Sequence, residues 1–280
     1  MSYYDGKGVV ITGAGSGIGR ALAVELSARG ARLALSDRNG DALAATARRC
    51  GPSSGDLRTD VVDVTDRPAV MSYADSVAGD LEPVDVVFSV AGVLHTGSVL
   101  ASSFVDVEEV FAVNYWGVVN TTKAFLPHVT KAEHGHIVTI SSVFGLMTAP
   151  RYSAYCASKF AVRAFTESLR QEMIIDRKPV SVTCVYPGGI RTPIMRNGLF
   201  AAGEDRTAVT NSFDRVVART SPERAATRIL RGVERRRARV LVGADARVIG
   251  GLLRGLGDAY PHVIPSLARL TRILRGSAPG

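Results

Sequence analysis

Four glycines fall within the eight residues TGAGSGIG at positions 12–19. They follow an apolar, β-branched run at 9–12, which is typical of a buried strand, and they precede apolar residues at helical spacing that end near Gly30. Glycines permit a sharp strand-to-helix turn and let the backbone approach a pyrophosphate, toward which the helix directs its free N–H groups. The segment predicts a dinucleotide site, with a purely structural turn as the alternative. Its candidate contacts are Gly13, Gly15, Ser16, Gly17, Ile18 and Gly19.

The first 190 residues alternate between strand-like and helix-like segments. Strands are predicted at 32–36, 57–62, 84–90, 136–141 and 180–185, and helices at 67–78, 106–131 and 153–175. Strands that alternate with helices form βαβ units and a parallel sheet, with helices on both faces. Near-continuous apolar runs such as VDVVFSV fit strands that are covered on both faces. The predicted fold is α/β. Residues 1–280 are predicted to form a single doubly wound Rossmann-type domain, and its sheet and helices occupy roughly residues 5–245.

Composition and cysteine usage exclude several other classes. No apolar run approaches the roughly 20 residues that span a bilayer, and the polar start MSYYDGKG lacks the apolar core of a secretory signal. Three cysteines without a C-x-x-C pair indicate a reducing compartment rather than a disulfide scaffold or a zinc ribbon. We therefore expect a cytoplasmic protein without a metal site. The alternative metal interpretation rests on His134 and His136.

Asp37 closes the second predicted strand, 18 residues after Gly19. A carboxylate at this position can accept hydrogen bonds from both hydroxyls of an adenine ribose, and it would repel a 2′-phosphate. NAD is therefore the expected cofactor. Arg38 keeps NADP possible, because a guanidinium beside the ribose could accommodate the phosphate. A turn-opening carboxylate is the structural alternative for Asp37.

Tyr155 and Lys159 share one face of a predicted helix, and Ser142 ends the preceding strand. A phenol with a pKa of about 10 is too weakly ionised to act as a base at neutral pH. A neighbouring ammonium favours the phenolate, so Lys159 could lower the pKa of Tyr155 and let it exchange a proton with an alcohol or a ketone. Ser142 could bond the substrate oxygen. The set predicts hydride transfer between a nicotinamide ring and an alcohol carbon.

Taken together, these motifs resemble the classical short-chain dehydrogenase/reductase (SDR) family. The matching positions occur in family order over residues 8–195, about two-thirds of the chain. They are TGAGSGIG at 12–19, Asp37, Asp63-Val64, Ala91-Gly92, Asn114, Ser142, Tyr155 with Lys159, Pro187-Gly188 and Thr192. The resemblance implies an NAD(P)-dependent oxidoreductase that interconverts a secondary alcohol and a ketone and that forms a homodimer or homotetramer.

The resemblance also implies a role for each matching residue. Tyr155 would be the acid/base, Lys159 would bind the nicotinamide ribose and lower the pKa of the tyrosine, and Ser142 would orient the substrate. Asn114 would hold a water that relays protons through Lys159, although by itself it fits a helix kink or a satisfied core amide. The remaining positions would contact the cofactor: adenine through Asp63 and Val64, the site after the fourth strand through Ala91 and Gly92, and nicotinamide through Pro187, Gly188, Ile190 and Thr192.

One motif position differs from the family pattern. Many members have Asn-Asn-Ala-Gly after the fourth strand, where this chain has Ser89-Val90-Ala91-Gly92. The departure removes a side-chain amide that helps to fix the adenine pocket, so it bears on nucleotide affinity rather than on the chemistry.

Residues 190–220 lack clear periodicity and follow the C-terminal end of a strand, which predicts a mobile substrate lid. Tyr152 and Phe144 are candidate substrate-binding residues beside Tyr155. If most neighbouring apolar side chains face the pocket, the substrate is a lipophilic alcohol or ketone; otherwise they only pack the lid. These side chains are Phe144, Leu146, Met147, Ile194, Met195, Leu199 and Phe200.

The positive charge is concentrated in the last third of the chain. The net charge is +8, and residues 191–280 carry 17 basic and 7 acidic side chains. In the extension 245–280, leucines and isoleucine at 267–274 alternate with arginines at 269–275, which predicts a helix with one apolar and one basic face. Such a helix could lie on an anionic membrane surface or dock on a subunit with its arginines in solvent. No nucleic-acid partner is expected, because no aromatic platform accompanies the arginines.

A second function stays open beside the oxidoreductase interpretation. The same fold could serve as a catalytically inactive protein that senses a dinucleotide. The intact set of Ser142, Tyr155 and Lys159 argues against it.

Overall fold

Seven parallel strands form the central sheet of the part of the chain that the computed structural model describes, residues 2–51, 56–256 and 259. The strands in this part are β1 (Gly8–Thr12), β2 (Arg32–Asp37), β3 (Leu57–Val61), β4 (Val84–Ser89), β5 (His95–Thr96), β6 (Gly135–Ile140), β7 (Val180–Pro187), β8 (Leu199–Phe200) and β9 (Arg239–Val242). The sheet order is β3-β2-β1-β4-β6-β7-β9, and β5 pairs separately with β8. The strand order changes direction between β1 and β4, and such a change opens a crevice beyond their carboxyl ends.

Helices cover both faces of this sheet. They are α1 (Gly17–Ser27), α2 (Gly40–Cys50), α3 (Arg67–Asp80), α4 (Phe104–Phe111), α5 (Gly117–Val129), α6 (Ser153–Ile175), α7 (Arg206–Ser212), α8 (Pro222–Glu234) and α9 (Ala244–Leu256). Side chains of α1, α2 and α8 pack in one core cluster with Val9 and Ile11 of β1. Side chains of α3, α5 and α6 pack in another cluster with Val10. Because successive strand residues point to opposite faces, these two clusters make the domain doubly wound, as the sequence predicts.

The burial of β1 explains why its sequence lacks a polar alternation. Val9, Val10 and Ile11 are all fully buried, since helices lie above and below the sheet. The same holds for β4 and β6, whose residues are buried throughout. Continuous apolar runs in the sequence therefore correspond to the central strands.

Three parts of the fold differ from the sequence-based prediction. The helix predicted at 106–131 is divided into α4 and α5 by a π-helical turn at Ala112–Trp116. The helix α2 and the short pair β5 and β8 are elements beyond those predicted. Residues 190–220 contain β8, α7 and a second π-helical turn at Phe213–Val217. The basic amphipathic pattern at 267–275 lies outside the described residues.

Candidate active site

A cavity of about 610 Å³ opens beyond the carboxyl ends of β1 and β4 and joins the glycine-rich turn to Tyr155. Most residues predicted for the site line this cavity. They are Gly13, Gly15, Ser16, Gly17, Ile18, Gly19, Asp37, Arg38, Asp63, Val64, Ala91, Gly92, Ser142, Phe144, Tyr155, Lys159, Pro187, Gly188, Ile190 and Thr192. The predicted residues Asn114 and Tyr152 lie outside the lining. The sequence motifs therefore converge on one continuous space.

The glycine-rich turn runs so close to neighbouring backbone that side chains would not fit. Gly13 has φ +68°, and a Cβ there would lie 2.6 Å from the backbone nitrogen of Ala91. The helix α1 begins directly after the turn, with no acidic residue in its first turn and no side-chain cap from Ser16 within the described residues. Its first N–H groups therefore face the cavity without a competing anion, which suits a pyrophosphate.

Asp37 is fixed at the end of β2 by two backbone groups. Its Oδ2 accepts a hydrogen bond from the Gly15 N–H at 2.8 Å, and its Oδ1 accepts one from the Asn39 N–H at 2.9 Å. A Cβ at Gly15 would lie 2.7 Å from the same carboxylate. The turn and the carboxylate are therefore held together, as a site for an adenosine ribose requires.

Arg20 supports this part of the site, although the sequence interpretation did not single it out. Its guanidinium donates to the carbonyl oxygen of Gly15 and, at 2.9 Å, to the hydroxyl of Thr46 on α2. The contact ties the glycine-rich turn to α2. Gly15 is close in sequence, but Ala42 and Thr46 are 22 and 26 residues away, so the motif does not reveal the contacts with α2.

The predicted adenine end of the cavity lies beside Ser89 and Val90, which replace the Asn-Asn of many family members. The carboxylate of Asp63 accepts hydrogen bonds from the backbone N–H and the hydroxyl of Thr65, at 2.9 and 2.8 Å, so it also caps the following turn. The buried hydroxyl of Ser89 has no hydrogen-bond partner among the described residues. The N–H of Val90 donates to the Thr12 hydroxyl at 3.2 Å.

Tyr155 and Ser142 meet at the other end of the cavity. Tyr155 lies in the first turn of α6, Ser142 follows β6, and both are buried. Burial raises the pKa of Tyr155 to about 12, and a hydrogen bond with Ser142 lowers it by less. The phenol is therefore a proton donor in this structure.

Lys159 lies one helical turn after Tyr155 and is also buried. Its Nζ donates to the carbonyl oxygen of Ile140 at 3.0 Å and lies 5.6 Å from the centroid of the Tyr155 ring. Burial lowers the pKa of Lys159 to about 8. The sequence predicts that Lys159 lowers the pKa of Tyr155, whereas burial is the largest influence on that tyrosine here and acts in the opposite direction.

Asn114 lies in the first π-helical turn and is completely buried. Its Nδ2 donates to the Val93 carbonyl oxygen at 2.9 Å and to the Ser158 hydroxyl at 3.0 Å, and its Oδ1 accepts from the Val93 N–H at 2.8 Å. The side chain is thus a satisfied core amide that holds the segment after β4. The water-relay role stays a prediction carried by the resemblance.

We expect Asn114→Leu to lower the free energy of unfolding by about 3 kcal/mol, because it removes the side-chain partner of the N–H and the carbonyl of the half-buried Val93 and of the buried Ser158 hydroxyl. Chemical denaturation of the two proteins measures the difference. Asn120→Leu is the matched control: its amide donates to Val64 at 3.0 Å and accepts at 3.4 Å from Arg67, which is exposed and can bond water instead, so about 1 kcal/mol is expected. Equal losses in the two variants would contradict a special role of Asn114.

The nicotinamide end predicted at Pro187–Thr192 is held by several backbone bonds. The Gly188 N–H donates to the Val242 carbonyl at 2.9 Å, and the Gly189 N–H donates to the Asp245 carboxylate at 2.6 Å. Asp245 and Ile249 of α9 line the cavity as well, and the sequence interpretation missed both. They are 56 or more residues from Gly189 in sequence, so only the fold brings them here.

The predicted substrate residues form part of an apolar cluster beside Tyr155. The ring centroids of Phe144 and Tyr155 are 6.2 Å apart, and those of Phe144 and Tyr152 are 5.3 Å apart. A hydrogen bond with Thr96 holds the Tyr152 hydroxyl, so Tyr152 supports Phe144 from outside the cavity lining. The cluster contains Leu94, Phe144, Tyr152, Tyr155, Ile194, Met195, Phe200, Val209 and Phe213.

No metal centre or membrane-spanning helix is found in the described part of the chain. It contains no group of three or more His, Cys, Asp or Glu side chains that could hold a metal ion. His136 is buried with its Nε2 2.8 Å from the Thr183 hydroxyl, and burial lowers its pKa to about 3. None of the helices in residues 2–51 and 56–256 is long and apolar enough to cross a bilayer.

Comparison with known proteins identifies related chains over the whole length. The family model described as short chain dehydrogenase matches residues 7–199. SadH of Mycobacterium tuberculosis, whose name describes an oxidoreductase, is 50% identical over 264 residues, which are 94% of this chain and 96% of SadH. Human estradiol 17-beta-dehydrogenase 11 is 32% identical over 260 residues, which are 92% of this chain and 82% of the human protein.

A solved structure shares the same architecture. A short-chain dehydrogenase/reductase from Burkholderia phymatum, crystallised in complex with NAD, superposes with a TM-score of 0.79 at 28% identity. The match covers 100% of this chain and 98% of that protein. The fold and the family model thus agree.

Proposed function

The chain belongs to the short-chain dehydrogenase/reductase family, and on that premise we propose that it interconverts a secondary alcohol and a ketone by hydride transfer, with NAD preferred over NADP and Tyr155 as the acid/base. One observation carries the proposal: a single cavity has the Gly15–Asp37 contact at one end and Ser142, Tyr155 and Lys159 at the other. Glycines without room for a Cβ and a free helix N-terminus fit the pyrophosphate of such a cofactor.

The residues of the chain would divide the chemistry as follows. In ketone reduction the Tyr155 hydroxyl donates its proton to the substrate oxygen, and in alcohol oxidation the phenolate accepts it. Ser142 bonds the same oxygen and stabilises the charge that develops on it. The buried Lys159 ammonium stabilises the phenolate and binds the nicotinamide ribose. When bound, the dinucleotide supplies the carbon that gives or takes the hydride.

A lipophilic substrate is supported by the apolar cluster beside Tyr155. Phe144 and Ile194 line the cavity, and Phe213 of the second π-helical turn closes it from the segment 190–220. These side chains offer few hydrogen-bonding groups beyond Ser142 and Tyr155, so they favour a hydrocarbon body around one reacting oxygen. Residues 190–220 would form the substrate lid of a single domain.

Thermal unfolding with NAD⁺, NADH, NADP⁺ and NADPH tests the proposal first. A ligand that binds only the folded state adds about 2.7 kcal/mol of stability at one hundred times its Kd. We expect the larger shift with NAD(H), followed by formation of reduced nicotinamide with apolar secondary alcohols. A shift with NAD(H) but no hydride transfer to any alcohol or ketone would favour the dinucleotide-sensing alternative. No shift with any of the four would overturn the proposal.

The two directions of the reaction should differ in their pH dependence. Because burial holds the pKa of Tyr155 at about 12, the phenolate is a minor form that increases about tenfold with each pH unit. The kcat/KM for alcohol oxidation is therefore expected to rise between pH 6 and 8, whereas ketone reduction stays nearly constant. The rise should weaken above pH 8, where Lys159 loses its charge. Identical profiles in both directions would argue against Tyr155 as the acid/base.

A homodimer or homotetramer is proposed from the family and is supported by an exposed apolar face. Leu100, Phe104 and Val105 are more than two-thirds exposed, and Trp116 is about half exposed. A face of this kind is typical of a protein–protein contact. Light scattering on the purified full chain measures the assembly state, and a monomer at micromolar concentration would contradict the proposal.

We propose that the protein is cytoplasmic and that the C-terminal part of the chain contacts the membrane surface peripherally. Apolar side chains of the second π-helical turn and of α9, among them Val216, Val217 and Val248, are exposed near the cavity beside Arg215 and Arg247. Apolar and basic groups together favour an anionic lipid surface. Deletion of residues 262–280 should reduce co-sedimentation with anionic vesicles and not with neutral ones. Unchanged binding would leave docking on a subunit as the explanation for this extension.

A further inference from the structure

Asp245 places a carboxylate at the predicted nicotinamide end of the cavity, and no sequence motif predicts this residue. It is the second residue of α9, and it lines the cavity together with Ile249. Its Oδ2 accepts the 2.6 Å hydrogen bond from the Gly189 N–H. A Cβ on Gly188 would overlap both of its oxygens, so the carboxylate lies directly against the Gly188–Gly189 turn.

The turn has enough other contacts to keep its shape without a charge. Gly188 is held by the Val242 carbonyl, and the Gly189 carbonyl oxygen accepts from the N–H groups of Arg219 and Thr220 at 3.1 Å each. A neutral acceptor at position 245 would satisfy the Gly189 N–H equally well. Fixing the turn therefore does not explain why the acceptor is an acidic residue rather than a neutral one.

The charge of Asp245 is not neutralised within the described residues. No Lys, Arg or His side chain whose position the structure describes forms an ion pair with it. It lies in the first turn of α9, where the helix dipole stabilises a negative charge. Lys159 is the buried cation that lines the same cavity, so two opposite charges border its nicotinamide end.

A negative charge at this end of the cavity would attract a positively charged group of a bound ligand. A dinucleotide carries its negative charge at the pyrophosphate, which the glycine-rich turn would bind, and its nicotinamide ring is cationic in the oxidised form and neutral in the reduced form. We propose that the Asp245 carboxylate acts on the nicotinamide ring and favours binding of the oxidised over the reduced coenzyme, so that the free enzyme is loaded preferentially with the oxidised form. This inference rests on the proposed function, which places nicotinamide at Gly188.

The ratio of two dissociation constants tests the role of this charge. Full-length wild type and Asp245→Asn are titrated with NAD⁺ by calorimetry and with NADH by fluorescence, without substrate. The asparagine keeps an oxygen for the Gly189 N–H and removes the charge. Kd(NAD⁺)/Kd(NADH) is expected to rise about fivefold, because one unit charge at a partly solvated site is worth about that factor. Asp245→Ser supplies the same comparison if the asparagine variant is too unstable to titrate.

Two matched variants separate charge from shape. Asp245→Glu keeps the charge and should restore a ratio close to that of wild type. Glu172→Gln changes the net charge equally on the exposed side of α6, far from the cavity lining, and should leave the ratio unchanged. An unchanged ratio in Asp245→Asn, or an equal loss of affinity for both coenzymes, would overturn the inference and leave the proposed function intact. Wild type that binds neither coenzyme would overturn the proposed function itself, and the inference with it.

Discussion

Tyr155→Phe is expected to lower kcat by about 10³ in both directions while NAD affinity stays within about twofold of wild type. The substitution removes the hydroxyl that exchanges the proton with the substrate, and a positioned acid/base contributes roughly 10²–10⁴. The ring, its buried environment and its 6.2 Å contact with Phe144 remain. Steady-state rates with NAD⁺ and an accepted alcohol, together with calorimetric titration of NAD⁺, measure the two quantities.

Tyr152→Phe is the matched control for this experiment. The Tyr152 hydroxyl bonds Thr96 and does not line the cavity, so its removal should change kcat by less than about threefold. A Tyr155→Phe enzyme with nearly full activity would assign the proton transfer to another group. Equal losses in both variants would indicate that packing around Phe144, rather than a proton, limits the rate.

Asp37→Asn is expected to reduce the preference for NAD⁺ over NADP⁺ by about 100-fold. Two hydrogen bonds from ribose hydroxyls to a carboxylate become bonds to a neutral amide, which are roughly half as strong, and the repulsion of a 2′-phosphate disappears. The ratio of calorimetric dissociation constants for NADP⁺ and NAD⁺ measures the change. Because the carboxylate also accepts from Gly15 and Asn39, the melting temperature without coenzyme is measured in parallel.

Arg38→Ala distinguishes the two neighbours at the end of β2. Arg38 is exposed at the cavity edge, so its removal should weaken NADP⁺ binding and leave NAD⁺ binding nearly unchanged. A protein that binds NADP⁺ more tightly than NAD⁺ before any substitution would show that Arg38 outweighs Asp37. We would then expect ketone reduction with NADPH to be the preferred direction of the reaction.

The sheet and the cofactor end could be predicted because their signals are local. A parallel strand buried on both faces, such as 84–89, reads as a continuous apolar run, and the turn at 12–19 needs glycine for backbone geometry alone. The helix α2 was not predicted because Leu43 is its one large aliphatic side chain, although Leu43, Thr46 and Cys50 form a buried face at helical spacing. The predicted helix 106–131 is divided at the π-helical turn that contains Asn114, whose side chain bonds Val93, and periodicity does not show this contact.

The sequence predicts residues that the structure groups at one cavity, but it does not predict their electrostatics. Tyr155, Lys159 and Ser142 come from spacing, but the sequence does not reveal that burial would raise the pKa of the tyrosine and lower that of the lysine. Asp245 and Arg20 were missed for a related reason. Asp245 bonds Gly189, which is 56 residues earlier, and Arg20 links Gly15 of the glycine-rich turn to Thr46 of α2, so tertiary structure creates these contacts.

The attachments of the segment 190–220 divide it into two loops. Its start is tied to Thr220 through the Ile190 bridge and the Arg191 N–H, and its middle is tied to β5 through the N–H groups of Leu199 and Ala201. Residues 202–218 are thus a stretch with both ends fixed on the scaffold. A change in the length of such a loop costs only a slowly growing closure entropy. Substrate range could therefore diversify there by insertion or deletion while the sheet and the cofactor end keep their register.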